Sequence, residues 1–190
     1  MKADVDTGTS QHNLAELAKK RLVIEAIEPE IDGGRFAAKT VAGAVPWSAE
    51  DARAFLGQHG PGSVARLWFW LATNTMARIG DTPGFGPHME VEYPEGKFLA
   101  WQPSKKGSAP VAVPMLPQLE EELARHPRAD AYLMTEYGRP FKSPEGLRNK
   151  IQDWTRAAGL ERRTQHGIRK GAARLIAQAG GTQYELMSAM

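Results

Sequence analysis

The chain has 190 residues, 42% of them hydrophobic and 24% charged, which suits a folded protein of one ordinary domain with a small appendage. It contains no cysteine, so disulfides and thiolate zinc sites are excluded and a reducing, cytoplasmic compartment fits. The net charge of +2 excludes no partner by itself, and the polar start MKADVDTGTSQHN lacks the apolar core of a signal peptide.

Residues 1–13 read as a disordered lead. A helix is expected over 14–28, with Leu14, Leu17, Ala18 and Arg21 along one side, followed by a poorly patterned connector over 29–46. Ser48-Ala49-Glu50-Asp51 is a capping box and should open a helix running through Leu56, with a loop from Gly57 to Gly62. Ser63 to Ile79 has a strongly apolar helical pattern. Its run Leu67-Trp68-Phe69-Trp70-Leu71 is bounded by Arg66 and Asn74, far short of a membrane span, and reads as a buried helix with Arg78 at its end. Trp68, Trp70 and Trp154 are expected in the core rather than as platforms for bases.

Glycines and prolines between Gly80 and Pro87 stop that helix. Strands are expected at Met89–Tyr93, Lys97–Gln102 and Val111–Met115, the first two joined by the turn Pro94-Glu95-Gly96. Leu116, Leu119 and Leu123 mark a helix, and Ala131–Met134 a short extended piece. Leu147, Ile151, Trp154 and Ala158 share a face of a helix that Gly159 ends. Thr164–Gly181 opens with a turn-like Thr-Gln-His-Gly and runs on as a helix through Ile168, Ala172, Leu175, Ile176 and Ala179, with Gly180 and Gly181 as stop signals. Thr182-Gln183-Tyr184-Glu185 is a second capping box, after which only Leu186 to Met190 remain, so the chain is expected to end inside an element. The fold class expected is α+β, mainly α, with a small antiparallel three-stranded sheet.

Charge is distributed unevenly. Arg139 to Arg174 holds ten Lys/Arg (Arg139, Lys142, Arg148, Lys150, Arg156, Arg162, Arg163, Arg169, Lys170, Arg174) against three acids, net +7, leaving −5 for the rest. Such a block suits a polyanion-binding face, or else a solvated helical surface. Within it His166 and Arg169 lie three apart on one helix face, a proton carrier beside a permanent planar cation. Arg78, and Lys105 or Lys106 at a hairpin tip, are possible partners around one phosphate: arginines to neutralise its non-bridging oxygens, histidine and lysine to move protons. Taken singly, Arg78 is equally a helix-terminal cation and the lysines solvated turn residues. His12, His59, His88 and His126 show no metal-ligand spacing, so no metal or cofactor is expected.

In this order the motifs resemble the catalytic domain of tyrosine recombinases, the phage-integrase family. Thr75-Met76-Ala77-Arg78-Ile79-Gly80-Asp81 is similar to the first arginine box. Lys105-Lys106-Gly107 with Val111–Met115 is similar to the lysine hairpin. Thr135-Glu136-Tyr137-Gly138-Arg139-Pro140-Phe141 is similar to the phage-type connector, and His166-Gly167-Ile168-Arg169-Lys170 to the second box. The resemblance covers about Pro46 to Met190. It implies a catalytic domain over 46–190, incomplete at its C-terminus, with 1–45 as the last helix and linker of a core-binding domain.

The resemblance further implies that Arg78 and Arg169 clamp the scissile phosphate, His166 acts as acid/base and Lys105 protonates the leaving 5′ oxygen. Counting back from Pro114 favours Lys106 instead. Lys106, Arg139, Lys142, Arg148, Lys150, Arg162, Arg163 and Lys170 would contact DNA. The partner implied is double-stranded DNA, with assembly into homo-oligomers on it, no membrane, and a bacterial or phage origin. The activity implied is site-specific recombination or integration through a 3′-phosphotyrosine.

Two departures bear on this. Met76 stands where the family usually has glycine. The family's nucleophilic tyrosine lies beyond residue 190, Tyr184 being too early and structural, so the 190-residue chain is expected to bind DNA without cleaving it. Other readings are a non-catalytic DNA-binding or regulatory module with this fold, or a phosphodiesterase of RNA or nucleotides using His166 and Lys105.

Overall fold

The computed structural model describes residues 43–178 and residue 180. The expected lead, the helix at 14–28, the second capping box, Tyr184 and the last residues lie outside the described residues.

Helix α1 spans Ala49–Gln58. Its capping box is reciprocal: the Asp51 amide donates to Ser48 Oγ at 3.1 Å and the Ser48 amide to Asp51 Oδ2 at 2.8 Å. The helix continues through Gly57 rather than stopping at Leu56. No atom lies within 4 Å of a Cβ placed on Gly57, so the glycine neither breaks nor supports the helix there.

Helix α2, Val64–Thr75, is the centre of the domain. Leu67, Trp68 and Leu71 are fully buried, and α2 packs on α3 (Pro117–Leu123) and α5 (Gln165–Gln178). It ends four residues earlier than the apolar pattern to Ile79 suggests. Met76 takes the left-handed conformation (φ 48°, ψ 28°), and the Ala77 amide donates to Thr75 Oγ1 at 3.2 Å instead of continuing the helical ladder. Asn74, fully buried, donates to the Pro114 carbonyl at 3.0 Å and accepts from the Leu116 amide at 2.6 Å, fastening this end of α2 to the sheet. Arg78 therefore sits in an irregular turn after α2, not at a helix end.

Two short 3₁₀ turns follow, Thr82–Gly84 and Pro87–Met89. The sheet has three antiparallel strands in chain order, β1 (Glu90–Tyr93), β2 (Gly96–Trp101) and β3 (Val111–Pro114), within a residue of the positions expected. Tyr93 pairs with Gly96, whose φ of 127° only glycine adopts readily, so the hairpin turns in two residues. Residues 102–110 form the lysine loop between β2 and β3.

Ala131–Met134 forms no strand. Tyr132 gives its amide to the Phe85 carbonyl at 2.8 Å, and Met134 makes one isolated bridge to Pro140. Helix α4, Pro144–Ala157, buries Leu147, Ile151 and Thr155 and packs on the Thr82–Gly84 turn. Trp68 is fully buried, while Trp70 and Trp154 are partly buried against the core. Among the described residues no helix is long and apolar enough to cross a membrane.

One core element left no mark on the reading of the sequence. The strand-like stretch Val45–Trp47 lies directly across α5. The Trp47 amide donates to the Gly167 carbonyl at 3.1 Å and its indole to the Thr164 carbonyl at 2.9 Å. The Trp47 ring meets Phe55, Trp68 and Phe69 at centroid separations of 5.4, 6.2 and 5.5 Å. This close approach requires Gly167 and Gly171, one helical turn apart.

Candidate functional site

The site is built where the start of α5 meets the turn after α2. Thr164 caps α5: its hydroxyl accepts from the Gly167 amide at 3.2 Å and its carbonyl from the Ile168 amide at 3.3 Å. His166 is exposed in the first turn, and Arg169, one turn on, is only 8% exposed. Burial, the positive charge of Arg78, and against them the negative charge of Asp81, set the Arg169 guanidinium; the net effect lowers its pKa. Arg78, Asp81 and Arg169 thus share one electrostatic neighbourhood, although 91 residues of chain separate the two arginines. Arg78 is exposed in its turn while Arg169 is buried in α5.

His166 is held below its ordinary pKa by burial and then by Lys170 and Arg169. Its imidazole is neutral near pH 7 and can take or give one proton. The lysine loop is anchored to the same place, because the Ser104 amide donates to Asp81 Oδ1 at 2.9 Å. The loop is shaped by Ser108 N–H bonding to the Lys105 carbonyl at 3.1 Å and by Gly107 at φ 80°. Lys105 and Lys106 are both exposed next to that anchor. Asp81 therefore brings the hairpin to the arginine turn, a task for which only its position three residues after Arg78 gave a hint.

The fold that carries these residues recurs in solved structures. The chain superimposes on the lambda integrase (75–356) dimer bound to a COC′ core site with a TM-score of 0.62 at 19% identity, covering 81% of this chain and 58% of that one. For the lambda integrase catalytic core the TM-score is 0.57 at 20% identity, covering 75% of this chain and 91% of that one. The fold is that of a tyrosine-recombinase catalytic domain. XerA recombinase shares it, with a TM-score of 0.59 at 16% identity over 77% of this chain. The chain spans 58% of the first integrase structure and 55% of XerA, so it matches part of those proteins. No family model and no curated protein matches the sequence.

Within the recombinase fold the departure at Met76 acquires a physical meaning. The position requires a left-handed residue, which glycine supplies freely and a side chain adopts at a cost of about 1–2 kcal/mol. Here the methionine side chain is buried, 3% exposed, and its burial offsets that cost. The substitution acts on backbone conformation as well as packing.

The expected DNA contacts divide into groups. Lys106, Arg139, Lys142, Arg148 and Arg162 are exposed. Lys170 is partly buried and contributes to the field at His166. Lys150 lies 3.8 Å from Glu136, a largely exposed pair of little energetic weight.

Arg163 has a partner within the chain. It makes a two-pronged bond to Asp51, Nε to Oδ2 at 2.7 Å and an NH2 group to Oδ1 at 3.0 Å. Burial would raise the Asp51 carboxyl, but this pair and the Ser48 bonds outweigh it and hold the carboxyl below its usual range. Arg163 thus joins the α4–α5 connection to the cap of α1. Arg163→Ala should destabilise the fold by about 2 kcal/mol, since it leaves a largely buried carboxylate unpaired. Urea unfolding measures the loss, and the salt slope of DNA binding should be unchanged. Because the folded pKa of Asp51 is depressed, this stabilisation is present above the unfolded carboxyl pKa and disappears as pH falls through the folded one.

The pH behaviour of His166 gives an opposite pair of effects. With its folded pKa depressed, the unfolded chain takes up the proton first, so the free fold loses stability as pH drops below about 6.5. A phosphate beside the ring favours the imidazolium, so duplex affinity should rise over the same range. His166→Gln should flatten both profiles, followed by chemical denaturation and by fluorescence anisotropy.

Among the described tyrosines, Tyr132 donates its hydroxyl to Glu90 at 2.7 Å, and burial followed by that carboxylate raises its pKa. Gln165, Asp81, Trp47, Gly167 and Gly171 were not singled out from the sequence. The local signals were the pair of glycines four apart inside a helix and the place of Asp81 three residues after Arg78.

Proposed function

We propose that this chain holds a backbone phosphate of duplex DNA between Arg78 and Arg169 as the catalytic domain of a site-specific recombinase. The observation that supports it most is that the start of α5, bearing His166 and the buried Arg169, is hydrogen-bonded through Gln165 and Thr82 to the turn carrying Arg78, to which Asp81 also anchors the lysine loop. In that reading the guanidiniums neutralise the non-bridging oxygens as charge builds on the pentacoordinate phosphorus. His166 assists proton transfer at the attacking hydroxyl, and a lysine of the hairpin, Lys105 or Lys106, protonates the departing 5′ oxygen. In such a recombinase a tyrosine hydroxyl attacks phosphorus to give a 3′-phosphotyrosine, which a free 5′ hydroxyl later reverses, so that strand exchange conserves the phosphodiester.

Lys106, Arg139, Lys142, Arg148, Arg162 and Lys170 are the proposed flanking contacts. They position the duplex without reading bases. By the same reading, copies of the chain assemble on DNA, as lambda integrase does in its dimer on a core site. The test is duplex affinity across a salt series for the wild type, Arg78→Ala and Arg169→Ala. Loss of affinity with a shallower salt slope supports the clamp; unchanged affinity in both variants overturns it.

A further inference from the structure

The amide of Gln165 joins the two halves of the site. Gln165 is 4% exposed, and its three hydrogen bonds leave its own helix. Its Oε1 accepts from Trp68 Nε1 at 2.9 Å, and its Nε2 donates to the Ala77 carbonyl at 3.0 Å and to the Thr82 hydroxyl. An indole only donates and a carbonyl only accepts, so the partners themselves determine which way the amide faces. Thr82, 1% exposed, passes the chain of bonds on, its hydroxyl donating to the Arg78 carbonyl at 3.0 Å. The same carbonyl receives the amides of Asp81 at 3.0 Å and Thr82 at 3.2 Å. A continuous path therefore runs from the residue before His166, through Thr82, to the backbone of Arg78, while a second bond holds the residue just before Arg78.

We infer that Gln165 is a positioning residue of the clamp: it sets where the turn carrying Arg78 lies against the start of α5, which carries His166 and Arg169. This rests on the clamp reading above. An apolar side chain here would leave the fully buried Trp68 indole and the Ala77 carbonyl unpaired, so the amide serves the core as well as the turn. What goes beyond the core is where two of its bonds end, on the turn that carries Arg78. The bonds of Gln165 to Ala77 and Thr82 cross the boundary between α5 and that turn, and the bond to Trp68 fixes the amide against α2.

The experiment compares Gln165→Met and Thr82→Val, which keep volume and remove the bonds, each in the wild-type and Arg78→Ala backgrounds, at a temperature where urea curves show every variant folded. In the wild-type background each should weaken duplex binding about tenfold without changing the salt slope, since no charge is lost. In the Arg78→Ala background the same substitutions should change affinity by no more than about twofold, because the turn they hold no longer carries a phosphate ligand. Thr82→Ser, which retains the hydroxyl, should restore binding. Equal losses in both backgrounds would show a merely structural role and overturn the inference while leaving the clamp intact. An Arg78→Ala variant that binds as the wild type does would remove the clamp reading and this inference with it. Should Gln165→Met fail to fold, the Thr82 pair decides alone.

Discussion

Gly171→Ala should destabilise the domain by about 3 kcal/mol or more, a large part of the roughly 5–15 kcal/mol that holds a domain of this kind folded. Helix propensity alone argues the reverse, since alanine in a helix interior is favoured over glycine by about 1 kcal/mol. The decision rests on what the new methyl group meets. A Cβ on Gly171 would lie 2.4 Å from the Trp47 carbonyl oxygen and 3.2 Å from its nitrogen, both backbone atoms. A flexible side chain could swing away from such a contact, but here the Val45–Trp47 segment must lift off α5. Lifting it breaks the Trp47–Gly167 bond at 3.1 Å and withdraws an indole, 7% exposed, from its cluster with Phe55, Trp68 and Phe69.

Gly167→Ala should behave alike, its Cβ falling 2.2 Å from the Val45 carbonyl oxygen. Gly57→Ala in α1, where nothing lies within 4 Å, should instead stabilise by up to about 1 kcal/mol. Urea unfolding of the three variants distinguishes steric docking from propensity. If all three moved in the same direction, the close packing of 45–47 on α5 would not be what makes these glycines necessary. Because Gly167 lies between His166 and Arg169, the same variant should also weaken DNA binding by moving the clamp.

The largest functional effect should come from the arginines. Arg169→Ala should weaken duplex binding by about 2–3 kcal/mol, from thirtyfold to over a hundredfold, the range for charge-assisted bonds to a partly desolvated phosphate. Arg78→Ala should lose a comparable amount, and the double variant less than the sum, since both contact one phosphate. Each lost contact should make the slope of log K against log salt shallower by about 0.9. Exposed cations such as Arg148 should show the slope change with a smaller loss of affinity at moderate salt.

Stability should not follow binding. Arg78 is exposed, so Arg78→Ala should leave the stability of the fold nearly unchanged. Weaker binding together with an unweakened fold identifies a residue kept for its ligand; parallel losses of both would assign Arg78 to the architecture instead.

Much of this molecule follows from short-range chemistry, which is why it could be read from the chain alone. The Ser48–Asp51 box, the hairpin punctuated by Pro94-Glu95-Gly96, and the apolar spacing of α2, α4 and α5 involve residues a few positions apart. The order of Arg78, the lysine hairpin and His166-x-x-Arg169 is likewise a linear property, and it carried the resemblance that the fold bears out. What the tertiary structure decided is everything whose cause lies far along the chain. The apolar pattern continued to Ile79, but α2 stops at Thr75 because the Thr75 hydroxyl takes up the next amide and Asn74 is engaged with the end of β3. By sequence Arg169 is a candidate ligand of the scissile phosphate and Arg163 a candidate flanking DNA contact. Only the structure bonds Arg163 to Asp51 at a separation of 112 residues and buries Arg169 one turn after Gln165, which is tied to the turn carrying Arg78. Gln165 and the two glycines of α5 are ordinary letters until the backbone at 45–47 and the turn at 77–82 are laid against them. A sequence displays charge and periodicity, whereas the partner that consumes a charge, or the carbonyl that forbids a methyl group, exists only once distant segments have packed.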